Sequence, residues 1–399
     1  MLSISVFLIS FAFLVFKHSV NAAGCDVPAS SLKNNNAPPL FFRTSADMGR
    51  ISDKSIVKAA GGRMIFNDNE DVKVVCSIDK MDVNTVTKHI KCLNNKFIED
   101  GIYKDLKDIT CQNSRPPAPR SEVPGLCKNA FLTVSVGFRI DGVFLNRIES
   151  CYDNNTRLPL YTKSILDQSI STCPTGRPGW YSTGTFRIML PANIEEIYTI
   201  DSQRKTVNQL LGLPSGDKSF IGDGHMYFAR GHLTPKCDFT YPSEQRLTHN
   251  YFNAAPQWQQ FNAGNWKVLE ASIKDFVTKS TTFDHIVVYT GTYGITKFNN
   301  IDIYLYVGQG IHAIPVPQYF WKIIYEPTSK KATVFVINNN PKDIKIQAMC
   351  RSFCDTLGWL KKSFEPTTIS KGTSFCCSYP DLKGIIPNMP DIEVLGPLL

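Results

Sequence analysis

After its first 16 residues, the 399-residue chain has no apolar run long enough to cross a membrane. It has no internal repeat and no low-complexity tract. It lacks the His-x-His and paired Cys-x-x-Cys spacings that are typical of zinc sites. No recognition helix, zinc finger or aromatic RNA-binding signature is visible. These absences argue against a membrane-spanning protein, a repeat protein and a reader of specific base sequences.

The N-terminus carries a short apolar run at residues 2–16, followed by small residues up to Ala23. No basic residues precede the run, and it is too short for a comfortable membrane span. We interpret residues 1–22 as a cleaved secretory signal, with a buried N-terminal helix as the alternative. A single glycosylation sequon begins at Asn154, as expected for an exported protein. The sequence therefore predicts a soluble, secreted, extracellular protein.

All twelve cysteines follow the predicted signal. An even number of cysteines in an exported chain favours disulfides over free thiols. A zinc site built from Cys350, Cys354, Cys376 and Cys377 is the alternative. The pairing of the cysteines cannot be read from their order.

The chain carries 43 basic and 35 acidic residues, a formal net charge of +8 that becomes +7 when Lys17 leaves with the signal. A positive charge suits a polyanionic partner. A soluble protein that is simply basic fits equally well, so charge alone leaves both interpretations open.

The chain divides into two predicted domains. Residues 23–120 contain short β-like runs, four cysteines and a Pro-rich stretch at 114–120. We interpret them as a small disulfide-stapled β domain with an extended linker. Residues 121–399 are long enough for a substantial core. Alternation predicts a strand at residues 134–140, and apolar, β-branched runs predict central strands at 285–289 and 332–337. The helical period predicts a helix at residues 263–277 with Trp266, Leu269, Ile273, Phe276 and Val277 on one face.

Two neighbouring segments hold the residue types that hydrolyse a phosphodiester. In the first segment, residues 227–238, His232 follows Arg230 and Gly231. Asn262 lies in the second segment, residues 250–266. His232 is the candidate general base, since a neutral imidazole accepts a proton near neutral pH. Asn262 is the candidate ligand for Mg²⁺, which prefers oxygen atoms, and Arg230 can neutralise charge on a phosphate. The alternatives are a structural histidine and an asparagine that caps a helix.

The segments resemble the DNA/RNA non-specific endonucleases, the ββα-metal nucleases. The residues that carry the resemblance are Arg230-Gly231-His232, Asn253-x-x-Pro256-Gln257 and Asn262-x-Gly264-x-Trp266-x-x-x-Glu270, in the family's order and spacing. The likeness covers about residues 125–390 and is strongest to the secreted arthropod branch, which includes insect salivary members. It implies an α+β fold, with a ββα-metal catalytic unit packed on a central antiparallel sheet and the small disulfide-rich β domain in front.

The resemblance also suggests roles for further residues. Glu270 would orient water on the metal ion, the alternatives being a solvent-exposed helix carboxylate or a partner for Lys274. Asn253 would hold the loop of the site or assist the transition state, with a structural turn as the alternative. Cys237 is expected to pin the loop through a disulfide. Candidate cations for the nucleic-acid backbone are Arg230, Lys236, Arg246, Lys267 and Lys274.

The sequence thus predicts a Mg²⁺-dependent endonuclease, for which Mn²⁺ is also suited, that cuts double- and single-stranded DNA and RNA with little sequence preference. Two departures from the family pattern support an alternative. Ala229 replaces the acidic residue of the first motif, and Lys274 stands where many members carry an arginine. That alternative is a nucleic-acid-binding protein of the same fold with little nuclease activity. A third candidate is an adhesive or structural protein acting through residues 24–113.

Overall fold

The computed structural model describes residues 24–399, apart from segments 35–38, 47–49, 53, 61, 78–84, 112–119, 171–172, 174–177, 182–191 and 344–345. The predicted signal at residues 1–22 and most of the predicted linker lie outside the described residues. Within the described part of the chain, no helix is both long and apolar enough to cross a membrane.

Residues 24–111 form two small antiparallel sheets, which we call the N-terminal module. Its strands are β1 (Cys25–Pro28), β2 (Leu40–Arg43), β3 (Ala59–Ala60), β4 (Arg63–Phe66), β5 (Asp71–Ser77), β6 (Thr85–Leu93), β7 (Lys96–Glu99) and β8 (Ile102–Lys104). They are ordered β1-β4-β3 and β2-β5-β6-β7-β8. The disulfides Cys25–Cys92 and Cys76–Cys111 cross-link the module, as a small β fold requires.

The remaining elements run in chain order as follows. The first group is β9 (Arg120–Leu126), β10 (Leu132–Ile140), β11 (Val143–Asp153), β12 (Leu158–Asp167), α1 (Ile194–Ile197), α2 (Ile200–Leu211), β13 (Phe228–His232), α3 (Pro242–Leu247), β14 (Ala254–Trp258), α4 (Gln259–Phe261) and α5 (Lys267–Thr278). The second group is β15 (His285–Tyr293), β16 (Lys297–Phe298), β17 (Ile301–Asp302), β18 (Tyr304–Gly308), β19 (Ile311–Pro315), β20 (Tyr319–Glu326), β21 (Lys331–Asn338), β22 (Ser374–Cys377) and α6 (Tyr379–Lys383).

Eight strands form the central sheet in the order β22-β21-β20-β15-β12-β11-β10-β9. Every neighbouring pair is antiparallel. The predicted α+β fold with a central antiparallel sheet is therefore confirmed. The three predicted strands at residues 134–140, 285–289 and 332–337 lie in β10, β15 and β21.

Both faces of the central sheet are covered, which explains its nearly continuous apolar strands. On one face, Ile286, Phe320 and Phe335 pack in the same core as helix α5. On the other face, Trp321 and Val334 pack in a core with α6 and the C-terminal segment. Successive residues of one strand thus enter different cores, as a period of two dictates.

The N-terminal module and the central sheet share one hydrophobic core, although their sheets are separate. Phe41 and Val74 of the module lie in the same buried cluster as Val136 and Phe138 of β10 and Ile148 of β11. The two parts are therefore joined by a buried apolar interface.

All twelve cysteines are paired in disulfides, which confirms the disulfide prediction and rejects the zinc alternative. Outside the module the pairs are Cys127–Cys151, Cys173–Cys237, Cys350–Cys377 and Cys354–Cys376. Cys237 ties the segment after His232 to Cys173, as the sequence led us to expect.

Candidate active site

Strands β13 and β14 and the helix after them form a ββα unit. The two strands are antiparallel, with Arg230 opposite Pro256 and His232 opposite Ala254. Arg230 and His232 are two residues apart and share one face of β13. A Cβ atom on the intervening Gly231 would lie 2.5 Å from Cβ of Gln257, so this close approach of the strands requires glycine.

The ββα unit opens into a pocket of about 400 Å³. Four of the predicted site residues, Arg230, His232, Lys236 and Asn262, line it together. The rest of its wall consists of Pro178, Trp180, Tyr198, Tyr227, Phe228, Ala229, His249 and Gln259. The pocket therefore combines the candidate base, the candidate metal ligand and two candidate phosphate-binding cations.

His232 lies between two aromatic side chains that the sequence did not identify. Its ring centroid is 4.7 Å from that of Trp180 and 4.7 Å from that of His249. His249 is buried, and its Nδ1 atom lies 3.3 Å from Thr248 Oγ1. Trp180 is remote in sequence and lies in no motif, whereas His249 lies four residues before Asn253 of the second motif block and was a detectable candidate.

Arg230 is held in a cage of aromatic rings. Its Nε atom donates to Tyr251 Oη at 3.1 Å, and its Nη2 atom donates to the Glu195 carbonyl at 3.0 Å. The guanidinium carbon lies 5.2 Å from the ring centroid of Tyr198 and 6.0 Å from that of Trp180. These contacts fix the orientation of the guanidinium.

Asn262 begins an irregular turn between α4 and α5. The helix starts at Gln259, one turn earlier than the sequence suggested, and Asn262 has helical dihedrals (φ −57°, ψ −45°). The N-cap interpretation of Asn262 is therefore wrong. Gly264 leaves the helical conformation (φ −90°, ψ −122°), and a Cβ atom there would lie 2.7 Å from the Lys371 carbonyl oxygen.

Asn253 lies behind the pocket and is fully buried. Its Oδ1 atom accepts from Thr234 N at 2.8 Å. Its Nδ2 atom donates to the carbonyls of Thr234 at 2.8 Å and Thr248 at 2.9 Å. Both N–H groups are thus committed to the backbone, which supports the loop-holding role among the alternatives considered for Asn253.

Glu270 lies on helix α5 of the ββα unit, in a charged cluster with Lys322 and Asp238, and does not line the pocket. Burial raises its pKa to about 7, although Lys322 acts in the opposite direction. Burial likewise raises the pKa of Asp238 to about 6. The ammonium of the buried Lys322 donates to the Leu233 carbonyl at 3.2 Å and lies 4.9 Å from the Trp266 ring centroid. Lys322 and Trp266 thus favour the ionised form of Glu270, while the nearby Asp238 carboxylate opposes it.

The remaining predicted cations lie away from the pocket wall. Arg246 on α3 and Lys267 at the start of α5 are exposed. Burial raises the pKa of Asp238, and the charge of Lys274 partly opposes that rise. The side chain at position 274 thus acts on the charged cluster around Glu270.

A model of the DNA/RNA non-specific endonucleases matches residues 128–382, more than half of the chain. The chain belongs to the DNA/RNA non-specific endonuclease family. It is accordingly a nuclease, a hydrolase of a family whose members are generally metal-dependent. The N-terminal module precedes the part that matches the endonuclease family.

Three curated relatives of the endonuclease are salivary proteins of insects. A salivary endonuclease of Lutzomyia longipalpis is 29% identical over 364 residues, 90% of this chain and 82% of that protein. The salivary protein Tsal2A of Glossina morsitans morsitans is 23% identical, over 78% of each chain. A salivary endonuclease of Culex quinquefasciatus is 24% identical, over 70% of this chain and 75% of that protein.

The pocket of this endonuclease fits a hard cation held by few protein atoms. Among the described residues, no three His, Cys, Asp or Glu side chains form a metal-binding group. Nδ2 of Asn262 donates to Gln259 Oε1 at 3.5 Å, which leaves the amide oxygen of Asn262 to serve as a ligand. Mg²⁺ commonly combines one or two protein oxygens with water and substrate phosphate. The donor set is therefore suitable for Mg²⁺, and Mn²⁺ accepts the same oxygen ligands.

Proposed function

We propose that this endonuclease is secreted and hydrolyses both DNA and RNA with little sequence preference, leaving 5′-phosphate ends. One observation carries the proposal: His232, Arg230, Lys236 and Asn262 line a single pocket. That pocket supplies a proton acceptor, two positive charges and an oxygen ligand within one site. These are the parts that phosphodiester hydrolysis needs.

Each residue has a defined task in the proposed reaction. The imidazole of His232 takes the proton from the water that attacks phosphorus. The preoriented guanidinium of Arg230 offsets the negative charge that develops on the phosphate oxygens. Asn262 would hold Mg²⁺, with Mn²⁺ as a substitute. When bound, such a cation supplies Lewis-acid stabilisation of the scissile phosphate and the leaving 3′-oxygen.

Specificity and location follow from the same residues and from the disulfides. Contacts to phosphate carry no information about bases, so binding to single- and double-stranded nucleic acid should weaken steeply with salt. Six disulfides, the apolar N-terminus and the salivary relatives support export to an oxidising compartment.

Ala229 favours a second candidate, a nucleic-acid-binding protein with little nuclease activity. Ala229 lies opposite Gln257 in the strand pair. Gln257 is buried, and among the described residues neither of its amide atoms has a hydrogen-bond partner. The replaced acidic residue would have offered an acceptor on this cross-strand position. Such a protein would keep its basic pocket and cut slowly.

Plasmid cleavage separates the two candidates. The purified protein is incubated with supercoiled plasmid at low salt, with Mg²⁺ or with EDTA. His232→Ala should lower the cleavage rate by about 10²- to 10⁴-fold, the contribution of a general base. His285→Ala is the control, because His285 is the first residue of β15, pairs with the neighbouring Asp284 and lies outside the pocket. Cleavage by His232→Ala at the parent's rate would refute the base assignment, and a retarded but uncut plasmid with the parent would favour the binding protein.

A further inference from the structure

The segment between His232 and strand β14 has two sides with different partners. We call residues 233–253 the site loop. Towards the pocket it presents Lys236 and His249. Its apolar side chains Phe239, Tyr241 and Phe252 are buried on the other side, in the core that contains the N-terminal module.

Tyr241 contacts the module through a hydrogen bond as well as through its apolar ring. Tyr241 is 2% exposed, and its hydroxyl donates to the Val57 carbonyl at 2.6 Å. Its ring centroid lies 6.4 Å from that of the fully buried Phe41 on β2. A buried hydrogen bond and a ring contact therefore connect the site loop to two points of the module.

The site loop has few elements of its own that could hold its shape. It contains one six-residue helix, α3, and short 3₁₀ turns. Asn253 fixes its ends near Thr234, and the Cys173–Cys237 disulfide fixes one further point. The middle of the loop, which leads to His249, packs in one core with strands β10 and β11 on one side and with the module on the other, where Tyr241 makes the contacts described above.

We propose that the N-terminal module is an internal brace of the active site and that Tyr241 is a positioning residue through which it acts. The module sets the position of the site loop and thereby of Lys236 and His249 in the pocket wall. This inference rests on the proposed function for its catalytic readout. The module precedes the residues matched by the family model, so the brace is added to the family's catalytic part.

Hydrogen exchange and turnover of the full-length protein test the brace. Tyr241→Phe removes only the hydroxyl that reaches Val57. Tyr379→Phe is a matched control, because the Tyr379 hydroxyl donates to the Pro390 carbonyl at 2.7 Å in the C-terminal segment. The amides of Gln245 and His249 are hydrogen-bonded within the site loop and report on its opening.

We expect the site-loop amides of Tyr241→Phe to exchange about fivefold faster than in the parent, as the loss of one buried hydrogen bond implies. Turnover should fall at a temperature where circular dichroism shows the variant fully folded. Tyr379→Phe should change neither amide exchange in the site loop nor turnover. Phe41→Leu removes the module's ring from the contact with Tyr241 and should change exchange and turnover in the same direction as Tyr241→Phe.

Three results would overturn the brace. These are unchanged exchange in the site loop, unchanged turnover despite faster exchange, and equal effects of Tyr241→Phe and Tyr379→Phe. If the parent protein itself fails to cut nucleic acid, the proposed function fails. Affinity for a labelled oligonucleotide in EDTA then replaces turnover as the second readout, so the brace is still decided.

Discussion

Replacing Asn253 by alanine is the sharpest test of how the pocket is held together. Asn253 connects the segment just after His232 to the end of helix α3, through Thr234 and Thr248. Its side chain is fully buried, and both of its N–H groups are used in these bonds. We therefore expect it to act on catalysis only by holding the loop.

The magnitude follows from three buried hydrogen bonds of 2.8, 2.8 and 2.9 Å. At about 1 kcal/mol each, Asn253→Ala should lower the free energy of unfolding by about 3 kcal/mol. Asn208 provides a matched control. It is also fully buried, and its Nδ2 atom donates to the carbonyls of Pro214, Ser215 and Asp217 after helix α2, away from the pocket.

Denaturant unfolding and plasmid cleavage are measured on both variants. Asn208→Ala should lose a similar free energy of unfolding and keep the parent's turnover per folded molecule. Asn253→Ala should lose both stability and turnover. Full stability combined with a large loss of turnover would refute the loop-holding role and favour direct contact with the substrate. Parent-like stability and turnover would show that these hydrogen bonds contribute nothing.

Two further predictions concern the supports of the pocket. Burial raises the pKa of Asp238 from 3.8 to about 6, so its stabilising contribution is complete below pH 4 and is lost as the pH rises through 6. The free energy of unfolding of Asp238→Asn relative to the parent should therefore rise by up to about 3 kcal/mol as the pH is raised from 4 to 7. A difference between variant and parent that does not change with pH would contradict this. Ala229→Asp should raise turnover about fivefold, because the buried amide of Gln257 gains an acceptor; an unchanged rate would show that this protein does not need the carboxylate.

Much of the site was predictable, because its parts are close in sequence. Arg230 and His232 lie on one short strand, and Asn262 follows the next strand after a single turn of helix. Apolar and β-branched runs also identified the central strands, and the helical spacing of Trp266, Leu269 and Ile273 identified the face of α5 that packs in the core. Local spacing carries this information, since a strand repeats every two residues and a helix every 3.6.

The partners of these residues come from distant segments, and no local pattern indicates them. Trp180 contacts His232 from a loop that precedes β13, and Lys322 reaches Glu270 from β20. Sequence spacing offered only Lys274 as a partner for Glu270 and did not indicate Lys322. Such long-range pairs are set by how the sheet stacks on the ββα unit, which spacing along the chain does not record.

The shared core also constrains the order in which the chain can fold. The N-terminal module is synthesised first. Part of its apolar surface is buried in one core with Phe239, Tyr241, Leu247 and Phe252, which lie far downstream in the sequence. N-terminal parts that fold early and expose apolar surface are prone to associate with one another. The newborn module therefore exposes part of its apolar surface until the site loop has been made. The same loop carries Lys236 and His249 of the pocket wall.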